Sequence, residues 1–512
     1  MDDTSDLPMT LRIPSTLSLA CNRIASLSTN SFKITPTTGN GSVGPGQQIR
    51  LLLPTAGLIH LPSTKLYFSV TTPASGGNNK GVRLPKYTSS LFQRVEVLCG
   101  GVTISPGNPI HNVVESLKHV INDHEGDKGS EHSEMVTGLD YLGKNFDTPA
   151  TGAGATVANE SYEGAGAGGG VFSVDLGDFF QSMKPNYIDL SLTGQIEVVL
   201  TIADKNVLSV VKGTELVGGT DAMTIDGTAA SIAASNFTIV NPVGVVNMVS
   251  MLDGAYPMAL LQRIADKGFI QYHFHEHITF QQSFNGNSRF NLAAMSLNKL
   301  HTIFRLNDAL TQGGAINVAG SGTAAGKSAS AVGYPWQGAN TKCTSEAGGA
   351  GTDRLRGGEV RFQGKYQQFK VPQTAPVQNA ANIADGTSYD YSASAPTELQ
   401  YRINSTQVPN LFLTPIQAYE AFKYANGIKE VKCIKSFVEY LYNKFVLSYR
   451  FDLVTNEYDP PTISGLDSRN ANSMIEVVSN GSNVSSIMSS IIVADITKLV
   501  RVGEGKQVET IA

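Results

Sequence analysis

Charge is scarce in this 512-residue sequence: Asp, Glu, Lys and Arg together make up 16% of it, well under the ~25% of an average domain. With 38 basic against 43 acidic side chains and a formal net charge of −5, no basic field exists to hold a polyanion by counterion release. Direct nucleic-acid binding is therefore not expected. Cysteine is nearly absent. The four present, Cys21, Cys99, Cys343 and Cys433, show no C-x-x-C spacing, which excludes a zinc knuckle, a thioredoxin-like redox motif and a disulfide framework and leaves reduced thiols as the expectation. No apolar run reaches the ~18 residues of a transmembrane segment. The opening Met1-Asp2-Asp3-Thr4-Ser5-Asp6 is acidic where a secretory leader would be basic and then apolar. A chain made in the cytoplasm and not secreted is expected.

Length and glycine are what the sequence has in plenty. The chain can bury two cores, so two domains are the starting expectation, and 51 glycines fit β-structure with generous loops. Period-two alternation places Ile49, Leu51 and Leu53 on one strand face, then Leu66, Phe68 and Val70, then Val95, Val97 and Cys99, predicting three strands before any helix. The first helix opens at Asn108-Pro109-Ile110, with Asn as cap and Pro at the first helical position, and runs through Val113, Val114, Leu117 and Val120. Strands resume at 196–202 and 237–240. A short helix near Tyr256–Leu261 ends at Lys267-Gly268, and the domain boundary is placed just before it. Beyond it, strands are expected at 269–284, 293–305, 445–451, 474–478 and 491–493. A single helix, Thr414-Pro415-Ile416 through Asn426-Gly427, stands among them. Both clear helices open with Pro-Ile and carry Glu then Lys three residues on (Glu115 and Lys118, Glu420 and Lys423), a trace of internal repetition. Gly/Ala/Ser/Thr-rich stretches at 149–170 and 311–353 read as loops. Helices are too few for a parallel α/β fold, so the class is mainly β, built as sandwiches.

The run from Phe32 to Pro54, the strand Lys65–Val70, and Arg94-Val95-Glu96-Val97-Leu98-Cys99-Gly100-Gly101 resemble the first jelly roll of double jelly-roll major capsid proteins. The closest-looking versions occur in virophages, Polinton-like viruses and adintoviruses, which are double-stranded DNA viruses. Phe437–Phe445 and Gly465-Leu466-Asp467-Ser468-Arg469 resemble late parts of the second roll. The resemblance implies two tandem antiparallel jelly rolls, with an N-terminal tail over 1–30, a first roll over 31–254 and a second roll with a C-terminal segment over 255–512. It further implies homotrimers forming pseudo-hexameric blocks that tile an icosahedral shell. Penton and minor capsid proteins would be neighbours, the virion would be the final location and the host cytoplasm the place of synthesis.

The sharpest chemical signal is Tyr272-His273-Phe274-His275-Glu276-His277-Ile278. Strand geometry puts His273, His275 and His277 on one face, a feasible nitrogen set for a divalent metal. Cupins, also jelly rolls, bind metal through an H-x-H strand motif, but the Glu that should follow is replaced here by Thr279 and Phe280. Same-face neighbours stand ~7 Å apart, too far for all three rings to reach one ion undistorted. A structural or subunit-contact role is the preferred reading, with the three histidines kept as metal candidates. His275-Glu276 fails the H-E-x-x-H pattern because Thr279 occupies the second His position. Gly322–Ser328 imitates a phosphate loop but has Ser321 where a Gly is required. The acidic and His-rich stretch His124–Glu134 reads as a solvated loop able at most to take up calcium. No nucleophile elbow occurs. No catalytic residue and no cofactor are expected, and the chain is read as a non-enzyme. The rivals are a cupin-like two-domain metalloprotein and a minor vertex protein of the same kind of virus.

Overall fold

The computed structural model describes residues 27–71, 79–83, 87–122, 171–207, 209–216, 220–224, 237–251, 255–306, 369, 371–372, 398–404, 406–427, 440, 444–453, 463–469, 474–480 and 488–511. In the first half, β1 (Leu27–Ile34), β2 (Ser42–Val43), β3 (Gln48–Leu52), β4 (Leu58–Thr71), β5 (Asn79–Arg83), β6 (Phe92–Cys99) and β7 (Val102–Ser105) precede helix α1 (His111–Asn122). After α1 come β8 (Val171–Asp175), the one-turn helix α2 (Asp178–Ser182), β9 (Tyr187–Asp189), β10 (Ile196–Ile202), β11 (Ser209–Leu216), β12 (Thr220–Thr224) and β13 (Thr238–Met251). Helix α3 (Ala255–Lys267) then leads into β14 (Phe269–Ser283), β15 (Asn287–Asn291), β16 (Leu297–Leu306), β17 (Glu398–Ile403) and β18 (Thr406–Leu413). Helix α4 (Pro415–Ala425), β19 (Val446–Arg450), β20 (Met474–Asn480), β21 (Met488–Gly503) and β22 (Val508–Ile511) complete the described chain.

Two principal antiparallel sheets carry the first half, ordered β1-β13-β4-β8 and β3-β10-β6-β7, with a smaller β12-β11-β5 sheet besides, and two carry the second, β14-β21-β16-β19 and β15-β20-β17-β18. With the eight principal strands of each half numbered along the chain, both halves read first-eighth-third-sixth and second-seventh-fourth-fifth. That is jelly-roll topology, twice. Helices α1 and α4 fall at the same place in it, between fifth and sixth strands, so the repeated Pro-Ile and Glu/Lys signals belong to a true structural repeat. Lys118 bonds Glu115, and Lys423 bonds Glu420, each at 2.6 Å.

Alternation in the sequence becomes alternation in burial. Ile49 and Leu51 of β3, Leu66, Phe68 and Val70 of β4, and Ile196, Val198, Leu200 and Ile202 of β10 all point into the first core, which sets register firmly because a one-residue slip would turn each set outward. Seven strands, not three, precede the first helix. β6 and β7 are joined by Gly100-Gly101, both at positive φ (+57° and +84°), the two-residue hairpin geometry that glycine makes cheap. The expected strand at 237–240 continues to Met251 across a bulge at Asn241-Pro242, where Asn241 takes φ +51°. The first strand starts at Leu27, inside the segment expected as tail, because Leu27–Asn30 pair with Met248–Met251.

Candidate functional site: the seam between the rolls

β14 is the first strand of the second roll, yet its opening half lies in the first roll's core. Ile270, Tyr272 and Phe274, with Val500 and Val502 of β21, join the first apolar cluster, and Phe274 meets Phe179 of α2 edge-on at 5.3 Å. The exchange is mutual: Val113, Val114, Leu117 and Val120 of α1 belong to the second cluster. The opposite side of α1 stays on its own roll, His119 stacking on Tyr87 at 3.6 Å and Ser116 meeting Ser90 at 3.4 Å.

Polar contacts line the same seam. His273 and Lys184 exchange both backbone hydrogen bonds, 3.1 and 2.8 Å, so the first roll adds a rung to the second roll's edge strand. Next along β14, the His275 amide donates to Ser182 Oγ at 2.9 Å, and Asn108 Nδ2 donates to the His277 carbonyl at 3.0 Å. Thr279 Oγ1 donates to Asn108 Oδ1 at 2.6 Å. On the buried face, Ser105 Oγ donates to Glu276 Oε1 at 2.6 Å, and Lys498 pairs with the other oxygen of that carboxylate.

The three histidines share one face as expected but do not converge. His277 Nδ1 bonds Asp178 Oδ2 at 2.8 Å, while His275 Nδ1 lies 3.2 Å from Asp495 Oδ1 and 3.1 Å from Asn298 Nδ2. His275 Nδ1 donates to Asp495 when it carries a hydrogen and accepts from Asn298 when it does not. Among the described residues, no three His, Cys, Asp or Glu side chains stand together as a metal site requires. Asp178 anchors the cluster by also pairing with Lys118, which in turn holds Glu115, whose carboxylate is 3.9 Å from His111. Burial alone would raise the Asp178 pKa, but Lys118 and His277 outweigh it and hold that carboxyl well below its usual range. For His277, burial pulls the pKa down and Asp178 overrides it, so the net shift is upward. His275 behaves likewise through Asp495. His273 is lowered, by burial first and then by His275 and Lys184.

Asp178, Asp495, Asn298 and Lys118 are the partners that strand alternation could not supply, because each lies on a different element from the histidines. The acid opening a one-turn helix and the Glu-x-x-Lys pair are the traces they leave. The phosphate-loop imitation Gly322–Ser328 and the stretch His124–Glu134 lie outside the described residues.

No protein-family model matches the chain, and no curated protein does. Solved structures do. The PBCV-1 protein VP54, whose crystal structure was fitted into a cryo-EM reconstruction of the virophage Sputnik, is similar at TM-score 0.53 and 12% identity, over 97% of this chain and 99% of that one. A quasi-atomic model of the PBCV-1 virus capsid is similar at TM-score 0.51 and 12% identity, over 97% and 99%. The shared fold is the double jelly roll of viral capsid proteins, spanning both chains nearly end to end.

Proposed function

We propose that the chain is a major capsid protein, a non-enzymatic subunit that forms homotrimers and tiles an icosahedral viral shell. The observation that carries this reading is the repeated strand order: two jelly rolls locked through one seam, with that fold shared over 97% of the chain by a PBCV-1 capsid protein. Two sandwiches side by side give a subunit with broad lateral walls, which three-fold association can bury. Penton and minor capsid proteins are the further partners, and virions the destination. The metal-binding alternative is disfavoured by the engagement of His275 and His277 with separate carboxylates. His277 instead ties the rolls together through Asp178, while the His275 ring holds β14 to its own sheet through Asp495 and Asn298.

Sizing with light scattering and negative-stain microscopy of the recombinant protein tests the proposal. Particles of three times the 54.4 kDa chain mass with a pseudo-hexagonal outline are expected. Compact monomers at every concentration would overturn it, as would stoichiometric iron, manganese or zinc that is lost in His273→Ala/His275→Ala.

A further inference from the structure

The helix that links the rolls, α3, is apolar on two sides. From Met258 onward, Ile264 is buried and Leu260 half-buried, both against the first core. A second stripe, Met258, Leu261 and Ala265, keeps the three- and four-residue spacing of one helix face and is open to solvent. Met258 is 72% accessible and Leu261 55%. Helical periodicity places Arg263, Asp266 and Lys267 off this stripe, on the remaining side. A surface helix needs one apolar stripe to meet its core, so a second one calls for cover of its own.

The nearest stretch of chain that can supply the cover is the N-terminal segment. Leu27 opposes Met251 at the start of the β1–β13 ladder, and α3 begins four residues later, at Ala255. Residues 1–26 therefore join the described chain beside the first turn of α3. The helix has 13 residues, about 20 Å at 1.5 Å rise each, and ten extended residues reach about 33 Å. The last part of the segment is thus long enough to run the whole helix. Its composition fits as well. Ile13-Pro14-Ser15-Thr16-Leu17-Ser18-Leu19-Ala20-Cys21-Asn22 carries no charge, and Ile13, Leu17, Leu19 and Ile24 are large apolar groups that a purely solvated tail has no use for. A segment tethered so close meets the stripe at millimolar effective concentration, which favours it over a free partner.

We infer that residues 13–26 pack across the Met258, Leu261 and Ala265 stripe of α3 in the same chain. The start of the chain then braces the joint between the two rolls, and both apolar sides of the linking helix are covered. The contact lies within one subunit and holds whatever that subunit assembles into.

A cysteine cross-link in the full chain tests this. Cys21 is native to the segment, and Met258→Cys supplies its partner at an exposed position, in a background of Cys343→Ser and Cys433→Ser. After treatment with a short bismaleimide, Cys21 is expected to be joined to the thiol introduced at position 258 in a denatured band of one chain mass, 54.4 kDa. Adding Leu17→Asp/Leu19→Asp is expected to abolish the link. In the otherwise wild-type chain the same aspartates should speed amide exchange along 258–267, while Leu7→Asp/Met9→Asp, outside the packed stretch, should leave it unchanged. A link found only in a band of twice the chain mass would overturn the inference and assign the stripe to the segment of a second copy. A link that persists undiminished with the aspartates would also overturn it, because proximity along the chain would then explain the reaction. No link, with exchange in α3 indifferent to the aspartates, would overturn it as well and leave the stripe to another partner, such as a lipid surface.

Discussion

Lys118 sits between the carboxylates of Glu115 and Asp178, and Asp178 is shared with His277. Replacing Asp178 with Asn leaves two cations in the seam without their common counter-charge. Breaking a mostly buried pair in this way is expected to cost about 3–5 kcal/mol, read as a lower urea midpoint at unchanged slope. The histidines make a sharper test because they oppose one another. His277 is raised by Asp178, so its contribution is full below the unfolded value of about 6.5 and is lost as pH rises through the higher folded value. His301, buried and bonded to Ser448, is lowered to about 3, chiefly by burial and then by Lys299 and His277. The unfolded chain therefore takes up a proton that the folded chain refuses, and His301 removes stability as pH falls below about 6.5. His277→Gln should make thermal stability fall more steeply on going from pH 8 to pH 5, and His301→Gln should make it rise relative to the wild type. Variants whose profiles run parallel to the wild type would refute both assignments. Below pH 4 the Asp178 carboxylate adds a further loss, since its folded pKa is depressed and its stabilising charge disappears as pH falls toward that value.

At the scale of elements, much of the architecture is legible in the sequence wherever one strand face meets a core. The runs at β3, β4, β6, β10 and β14, and the capped helix α4 with Gly427 at φ +67°, follow from period and punctuation alone. Among the hidden elements, β8 and β17 bury Phe172 and Val174, and Leu399, Tyr401 and Ile403, in runs too short for their alternation to stand out, while β1 and β18 have little apolar face to betray them. β1 reads Leu-Ser-Thr-Asn-Ser-Phe-Lys-Ile and is exposed along most of its length, and β18 carries Pro409 and Asn410. At the seam, the strand face of the three histidines is legible, while their carboxylate partners stand on α2 and β21, beyond any local pattern. Turn chemistry is equally local and equally exacting. Gly107 leads from β7 toward α1 at φ +69°, and a Cβ there would run into the Val95 carbonyl. Gly107→Ala is expected to cost at least the ~1–3 kcal/mol of a strained left-handed residue and to weaken the Asn108 contacts with β14, visible as faster amide exchange at His277 and Thr279.

Across the whole molecule, the exchange of core residues means that neither roll completes its interior alone. Calorimetry is expected to show a single cooperative transition for the wild type, in spite of two sandwiches. Phe274→Ala removes a ring from the first core and Leu117→Ala a side chain from the second, at about 3–5 and 2–5 kcal/mol. The double variant should therefore melt in two separable steps. A wild type that already melts in two would show that the seam does not couple the rolls.

All fifteen residues of β14 pair with β21, which starts only at Met488. During synthesis, then, β14 follows the last strand of the first roll, β13, and precedes its own sheet neighbour by some two hundred residues. A naked edge of this length is a hazard for mispairing. The rung between Lys184 and His273 and the ring contact of Phe179 with Phe274 give that edge partners from the first roll, all of which precede it in the chain. The strand most in need of cover is thus the one whose cover is made first, and each half supplies what the other's interior lacks.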